Sequence, residues 1–116
     1  MLWLRLGDQQ LHLFERETGP PRYHHLALDV EDFEAAYLKA KELGLLDTGT
    51  FGDPVRELPD GAVQMYIRDP AGNLVELDFP DVSSIDRSVV TDLVRLEDSL
   101  PQPPDAPRAT LYHSRS

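Results

Sequence analysis

The sequence predicts an α+β fold in which short strands and two helices form a single domain. Residues 2–13 and 63–79 alternate apolar and polar side chains, which is typical of strands that pack one face on a core. Residues 31–43 instead repeat apolar side chains at steps of three and four, which is the spacing of a helix. A chain of 116 residues is long enough for one domain with a modest core.

The first predicted element is a hairpin over residues 1–16. Leucines alternate along residues 2–6 and 11–13, and the Gly-Asp pair at 7–8 favours a tight turn between them. His12 stands between two of the leucines, so it points to the opposite face of its strand.

Residues 23–80 are predicted to form a strand, a helix and three further strands. In the first strand the leucines share one face and His25 lies on the other. The helix over 31–43 has Asp29 or Asp32 as its N-cap, and the glycine that follows ends it.

Of the last three strands of this unit, the first is predicted from a weak pattern and the other two from clear alternation. A short strand lies near Thr50 or over 55–58, and two longer strands lie over 63–68 and 75–79. Asp69–Asn73 joins the longer pair, because proline presets φ and glycine and asparagine tolerate positive φ.

The pattern becomes helical again over residues 83–100. Apolar side chains recur there at steps of three or four, which predicts an amphipathic C-terminal helix; they are Ile85, Val89, Leu93, Leu96 and Leu100. The proline-rich tail over 101–116 is predicted to be extended or disordered.

Composition excludes several classes of function. The formal net charge is −10, and 11 scattered Lys and Arg residues among 21 acids do not form the basic surface that binds nucleic acid. No apolar run is long enough to cross a membrane, and without cysteine there is neither a disulfide nor a thiolate metal site. We expect a cytoplasmic protein whose partner is a small-molecule substrate.

Three potential metal ligands fall on the non-core faces of three different strands: His12, His25 and Glu76. Two imidazoles and a carboxylate suit zinc, iron, nickel or manganese and leave positions open for substrate or water. Gln64, Tyr66 and Arg68 are candidate substrate-binding residues on the same type of face. The alternative is that all of these side chains are simply the solvated side of a sheet.

Two motifs resemble the vicinal oxygen chelate superfamily, which includes glyoxalase I, fosfomycin-resistance proteins, bleomycin-binding proteins and extradiol dioxygenases. Residues 66–77 read Tyr-x-x-Asp-Pro-x-Gly-Asn-x-x-Glu-Leu, and residues 25–30 read His-x-x-Leu-x-Val. The stretch 3–13, Trp-Leu-x-x-Gly-Asp-x-x-Leu-His-Leu, is similar to the end of a first module in glyoxalase-like members. The resemblance covers residues 2 to about 80.

The resemblance implies a fold of paired βαβββ modules around a cleft, with one complete module over 23–80 and only the terminal hairpin of the module before it. It implies His12, His25 and Glu76 as metal ligands, with Glu76 also the catalytic proton-transfer base. A fourth ligand would come from the first strand of module one, which this chain does not contain. The open sheet edge that this leaves favours a homodimer.

The resemblance leads to three hypotheses of function. The first is a metalloprotein in which a divalent metal chelates two vicinal oxygens of a small substrate and acts as a Lewis acid, as in a lyase, an isomerase or a dioxygenase. The second is a metal-free binding module that acts as a dimer, as in bleomycin-resistance proteins. The third is a remnant that keeps the fold without a working site. The first hypothesis favours an enzyme.

Overall fold

The computed structural model describes residues 1–17, 19 and 22–108. In chain order its strands and helices are β1 (Leu2–Leu6), β2 (Gln9–Leu13), β3 (His25–Asp29), α1 (Phe33–Glu42), β4 (Val55–Glu57), β5 (Val63–Arg68), β6 (Leu74–Phe79), β7 (Leu93–Arg95) and α2 (Leu96–Ser99). Two short 3₁₀ helices lie at Val82–Ser84 and Ala106–Arg108. Among the described residues, no helix is long and apolar enough to cross a bilayer.

The strands form two sheets. β1 and β2 make an antiparallel hairpin, and the other five strands make one sheet in the order β3-β6-β5-β4-β7. Within the larger sheet, β5 is antiparallel to both of its neighbours, while β3 runs parallel to β6 and β7 runs parallel to β4. The predicted α+β class is confirmed, and β3, α1, β4, β5 and β6 follow one another as a βαβββ unit.

The core lies between α1 and one face of the larger sheet. Phe33 and Tyr37 of the helix are buried together with Val55, Val63 and Met65 of the strands. The period-two pattern of β5 and the helical spacing of α1 both point to this core, so both predictions are confirmed.

Capping residues fix both ends of α1. Of the two candidate N-caps the structure uses Asp32, whose carboxylate accepts a hydrogen bond of 3.0 Å from the backbone N–H of Ala35. At the other end Gly44 has a φ of 68°, a left-handed conformation that favours glycine and ends the helix.

The face of the sheet away from α1 is polar, and much of it is buried. Gln64, Glu76 and Asp78 all point to this face, and each exposes less than a tenth of its surface. A sheet covered on both sides needs partners for its buried polar groups. The second face therefore holds the polar side chains from which the site is built.

The predicted amphipathic helix over 83–100 is wrong. In place of one helix the stretch contains turns, the strand β7 and the four-residue helix α2. Asp81 and Asp86 accept hydrogen bonds from the backbone N–H groups of Ser83 and Ser88, at 3.0 and 2.9 Å, and such local bonds compete with a helix. Part of the apolar spacing arises because Ile85, Val89 and Leu93 face the same core from turns and from β7, whereas Leu100 is 55% exposed.

The tail prediction is only partly covered by the structure. Within 101–108 the described residues include a 3₁₀ helix, Ala106–Arg108, so this part is not wholly extended. Residues 109–116 lie outside the described part of the chain.

The predicted N-terminal hairpin is confirmed, and it leaves many apolar side chains exposed. Leu2 and Trp3 are each 58% exposed, and Phe14 is 61% exposed. Trp3 pairs across the strands with His12, opposite to the leucine face. An exposed apolar surface of this kind is typical of a segment that packs against something else.

Candidate functional site

The tight turn between β5 and β6 sets the register of the strands that carry the site. Asp69 accepts hydrogen bonds from the backbone N–H and the side-chain amide of Asn73, at 2.8 and 2.9 Å. Burial raises the pKa of Asp69, but the hydrogen bonds from Asn73 and from the turn backbone outweigh it and hold that pKa below its usual value. The resulting antiparallel register places Tyr66 directly opposite Glu76.

His25 and Glu76 meet on the polar face of the sheet. β3 runs parallel to β6 with Ala27 aligned to Glu76. His25 is two residues before Ala27 on β3, so its side chain lies on the same face as that of Glu76. His25 Nε2 is 3.3 Å from Glu76 Oε1. Glu76 is only 5% exposed, so a partly exposed imidazole here reaches a buried carboxylate.

The second ring nitrogen of His25 has its own partner. Nδ1 lies 2.8 Å from the carbonyl oxygen of Tyr23, and because a carbonyl only accepts hydrogen bonds, Nδ1 carries the ring proton. In the neutral ring, Nε2 then places its lone pair next to the carboxylate oxygen of Glu76. That contact is favourable only when a proton or a metal cation lies between the two acceptors.

The hydroxyl of Tyr66 supports the same carboxylate. It lies 3.1 Å from Glu76 Oε1 and 3.3 Å from Gln64 Oε1, both of which are acceptors. Burial, together with the neighbouring charge of Glu76, raises the pKa of Tyr66. The phenol therefore keeps its proton and acts as a hydrogen-bond donor to the site.

A second carboxyl group, Asp78, lies two residues beyond Glu76 on the same face. It is 5% exposed, and its Oδ1 has no hydrogen-bond partner among the described residues. Burial, the hydrogen bond and charge of Glu76, and the charge of Asp29 raise the pKa of Asp78 to about 8. The site therefore contains a carboxyl group that keeps its proton near neutral pH.

Aromatic rings cover the contact between His25 and Glu76. The ring of Phe51 lies 4.6 Å from that of Tyr66 and 6.2 Å from that of His25, measured between centroids. Arg56 donates a hydrogen bond to the backbone carbonyl of Phe51 and also lies 5.7 Å from the centre of its ring. The side chain of His25 beside these rings is still 29% exposed, whereas Glu76 is 5% exposed, so low exposure to water strengthens the electrostatic interactions of that carboxylate.

Arg68 donates three hydrogen bonds to protein acceptors. Its Nη1 donates to the carbonyl of Gly72 at 2.8 Å, and its Nη2 donates to the carbonyl of Arg22 at 2.8 Å and to the hydroxyl of Thr50 at 2.9 Å. The guanidinium thus links the β5–β6 turn, the segment that enters β3 and the loop that carries Phe51.

His12 lies apart from the other two predicted ligands, on the hairpin. Its ring stacks on Trp3 with centroids 4.4 Å apart, and its Nε2 is 3.0 Å from the side-chain oxygen of Gln10. His12 and His25 both line a groove of about 940 Å³ between the hairpin and the edge of the larger sheet. Within the described ranges, no three His, Cys, Asp or Glu side chains are grouped closely enough to hold a metal ion.

A family comparison now identifies the fold. The model of the Glyoxalase/Bleomycin resistance protein/Dioxygenase superfamily matches residues 1–77, about two thirds of the chain. The chain belongs to this superfamily. No curated protein and no solved structure matches this chain. The match includes the whole hairpin and ends just after Glu76, so the predicted resemblance is confirmed.

Three features of this superfamily member escaped the sequence prediction: the role of Phe51, the burial of Asp78 and the carbonyl of Tyr23 as the partner of His25. Asp78 carried a usable signal, because it shares the face of Glu76 by alternation. For Phe51 the nearby glycines indicated only that it lies in a loop. A backbone carbonyl leaves no signal in a sequence.

Proposed function

We propose that this superfamily member is a glyoxalase-like metalloprotein that binds a small substrate through two vicinal oxygens, and that it is an enzyme. The observation that carries the proposal is the contact of 3.3 Å between His25 Nε2 and Glu76 Oε1. Two acceptor atoms on a largely buried face are stable together when a proton or a cation lies between them. A divalent transition metal meets that need and is bound in proteins by both imidazole and carboxylate groups.

The chemistry of the donor set fits a metal in two respects. His25 donates its Nδ1 proton to a backbone carbonyl, which is the usual way in which a metal-binding histidine is oriented. Glu76 accepts a hydrogen bond from Tyr66, which orients the carboxylate. His25 and Glu76 would hold zinc, iron, nickel or manganese, and the metal when bound would act as a Lewis acid toward the substrate oxygens.

The side chains around the pair have separate proposed roles. Glu76 is the proposed base, because a carboxylate in a water-poor site can take a proton from a bound substrate. Tyr66 and Gln64 would contact the substrate from the adjacent strand, with Tyr66 as a hydrogen-bond donor. Arg68 was predicted for the same role, but its bonds to protein acceptors support a different one, argued below.

His12 is proposed as the third ligand, delivered when the hairpin packs against the site of a second copy in a homodimer. Exposed leucines on the hairpin and the exposed Leu26 on the edge strand β3 support such packing. The dimer, the cytoplasmic location and the small-molecule partner are proposals of the same kind. Light scattering of the purified chain should give the mass of a dimer, and a stable monomer would refute this arrangement.

Metal analysis tests the proposal directly. Protein purified without added metal should carry one transition metal per chain. His25→Ala and Glu76→Gln should each weaken zinc binding by more than the roughly 10–100-fold that loss of an outer-shell partner costs. His24→Ala is the matched control, because His24 is the neighbour of His25 but its imidazole is not paired with Glu76. This variant should bind zinc as the wild type does.

The same measurements separate the alternatives. Protein without stoichiometric metal, in which His25→Ala leaves zinc affinity unchanged, would sink the metalloprotein proposal. A metal-free binding module would then be the better description. Metal binding that depends on His25 and Glu76 but not on His12 would support the metal site and refute His12 as its third ligand.

A further inference from the structure

Arg68 joins three separate segments next to the site. The guanidinium reaches the carbonyl oxygens of Gly72 and Arg22 at 2.8 Å each and the Thr50 hydroxyl at 2.9 Å. These acceptors are a turn, a strand entry and a loop, and each one lies in irregular backbone. A rigid, planar fork of donors is suited to fixing several acceptors in one geometry.

Two of these contacts reach His25 from different sides. The carbonyl of Arg22 belongs to the peptide group that precedes Tyr23, and the carbonyl of Tyr23 accepts the Nδ1 proton of His25 at 2.8 Å. Holding the first carbonyl in place therefore restricts the second, one residue further along. The acceptor that selects the tautomer of His25 is thus tied to Arg68 through a single residue.

The other contact acts through the loop. Thr50 precedes Phe51, whose ring lies 6.2 Å from the rings of both His25 and Tyr23. The bond from Arg68 to the Thr50 hydroxyl fixes the loop at the residue next to that ring. The imidazole is therefore oriented by a hydrogen bond at Nδ1 and confined by an aromatic ring beside it.

We infer that Arg68 is a positioning residue for His25, which it holds as the Nδ1–H tautomer with Nε2 turned to Glu76. As a statement about a metal ligand this inference rests on the proposed function, but its geometry exists without any metal. Loss of Arg68 leaves Tyr23 and Phe51 less restrained, so the ring of His25 samples both tautomers and its Nε2 is less available. Outer-shell partners of this kind typically change metal affinity by about 10–100-fold.

The test is the nitrogen NMR spectrum of His25 in metal-free protein, at a pH where histidine side chains are neutral. Wild-type protein should show protonated Nδ1 and unprotonated Nε2. In Arg68→Lys, a single ammonium group cannot reach all three acceptors, so the two nitrogen signals should move toward each other. Arg87→Lys is the matched control, because Arg87 pairs with Glu57 on another strand, and it should leave His25 unchanged.

A second variant keeps the test decisive if Arg68→Lys folds poorly. Thr50→Val removes one acceptor while keeping the shape of the side chain, and it should shift the His25 signals in the same direction by less. Unchanged His25 signals in a folded Arg68→Lys or Thr50→Val protein would overturn the inference.

Zinc titration of the same proteins distinguishes the inference from the proposed function. If the inference holds, Arg68→Lys should bind zinc about 10–100-fold more weakly than wild type. Failure of the wild type to bind zinc would refute the metal site, while the tautomer of His25 would still decide the role of Arg68. Equal zinc affinity in the two proteins, with wild-type tautomers in both, would refute the role of Arg68 alone.

Discussion

Asp78→Asn is expected to remove a loss of stability that occurs as pH rises. Burial, with the charges of Glu76 and Asp29 nearby, raises the pKa of Asp78 to about 8 in the folded protein. In the unfolded chain an aspartate has a pKa of about 3.9. Between these values the folded protein binds more protons than the unfolded chain, so the free energy of unfolding falls as pH increases.

The size of the effect follows from the surroundings of the carboxyl group. Asp78 is 5% exposed, and its Oδ1 has no partner among the described residues, so ionisation leaves a buried charge with little compensation. Each pH unit between the folded and unfolded pKa values costs the wild type about 1.4 kcal/mol of stability. Asparagine has the same shape and cannot ionise. The stability of Asp78→Asn relative to wild type should therefore rise by up to about 4 kcal/mol between pH 5 and pH 9.

Urea unfolding followed by circular dichroism at a series of pH values measures this difference. Fluorescence is a poorer choice, because the single tryptophan, Trp3, lies on the exposed hairpin and reports on that segment. Asp98→Asn serves as the control, since Asp98 is exposed and its loss should change stability by no more than about 0.5 kcal/mol at any pH. A difference between Asp78→Asn and wild type that stays constant or shrinks toward pH 9 would refute the reasoning.

Two further predictions concern the opposite face of the sheet. Tyr37→Phe should lower the free energy of unfolding by about 1.5–3 kcal/mol, because the buried hydroxyl donates to the Asp92 carboxylate. Tyr23→Phe, on an exposed ring, is the control. Equal thermal stabilities of Tyr37→Phe and wild type would contradict the prediction. Met65→Ala should cost about 2–5 kcal/mol in urea unfolding, because Met65 is 0% exposed in the core. A loss below 1 kcal/mol there would mean that the core collapses around the missing side chain.

The fold could be predicted where a single period covers a whole element. The strict alternation over 63–79 was decisive, because β5 buries Val63 and Met65 in the core, β6 packs its partly buried Leu77 and Phe79 against that core, and both strands turn the intervening side chains to the other face. The turn residues between them added the register, which no alternation provides. Pairing of β3 with β6 is a long-range contact that no local pattern in the sequence encodes.

The helix prediction for the C-terminal segment was wrong for a physical reason. A spacing of three and four marks residues that share one apolar environment, and a helix is only the commonest way to share it. Ile85 and Val90 reach the core from turns, and Leu93 reaches it from β7. The aspartate and serine residues between them were the contrary signal, because their side chains bond to nearby backbone N–H groups in turns.

The candidate site could be predicted as a list of side chains but not as an arrangement. Glu76 and His25 were both chosen by alternation, and they do meet. His12 was chosen by the same argument, yet alternation assigns a face only within one sheet, and the hairpin of His12 is a separate sheet. Its position relative to Glu76 depends on packing that no period in the sequence encodes.

The polar face of the sheet is costly as a means of stabilising the fold. Opposite it, Val63 and Met65 are fully buried and need no hydrogen-bond partners, whereas Glu76 requires a hydrogen bond from Tyr66 and still faces a lone pair of His25. Replacing buried ionisable groups by apolar ones of similar size often stabilises a protein. Stability alone therefore gives no reason for an imidazole and a carboxylate in contact at this position. A proton or a bound cation between the two groups would offset the desolvation of both at once, so the contact is consistent with the proposed metal site.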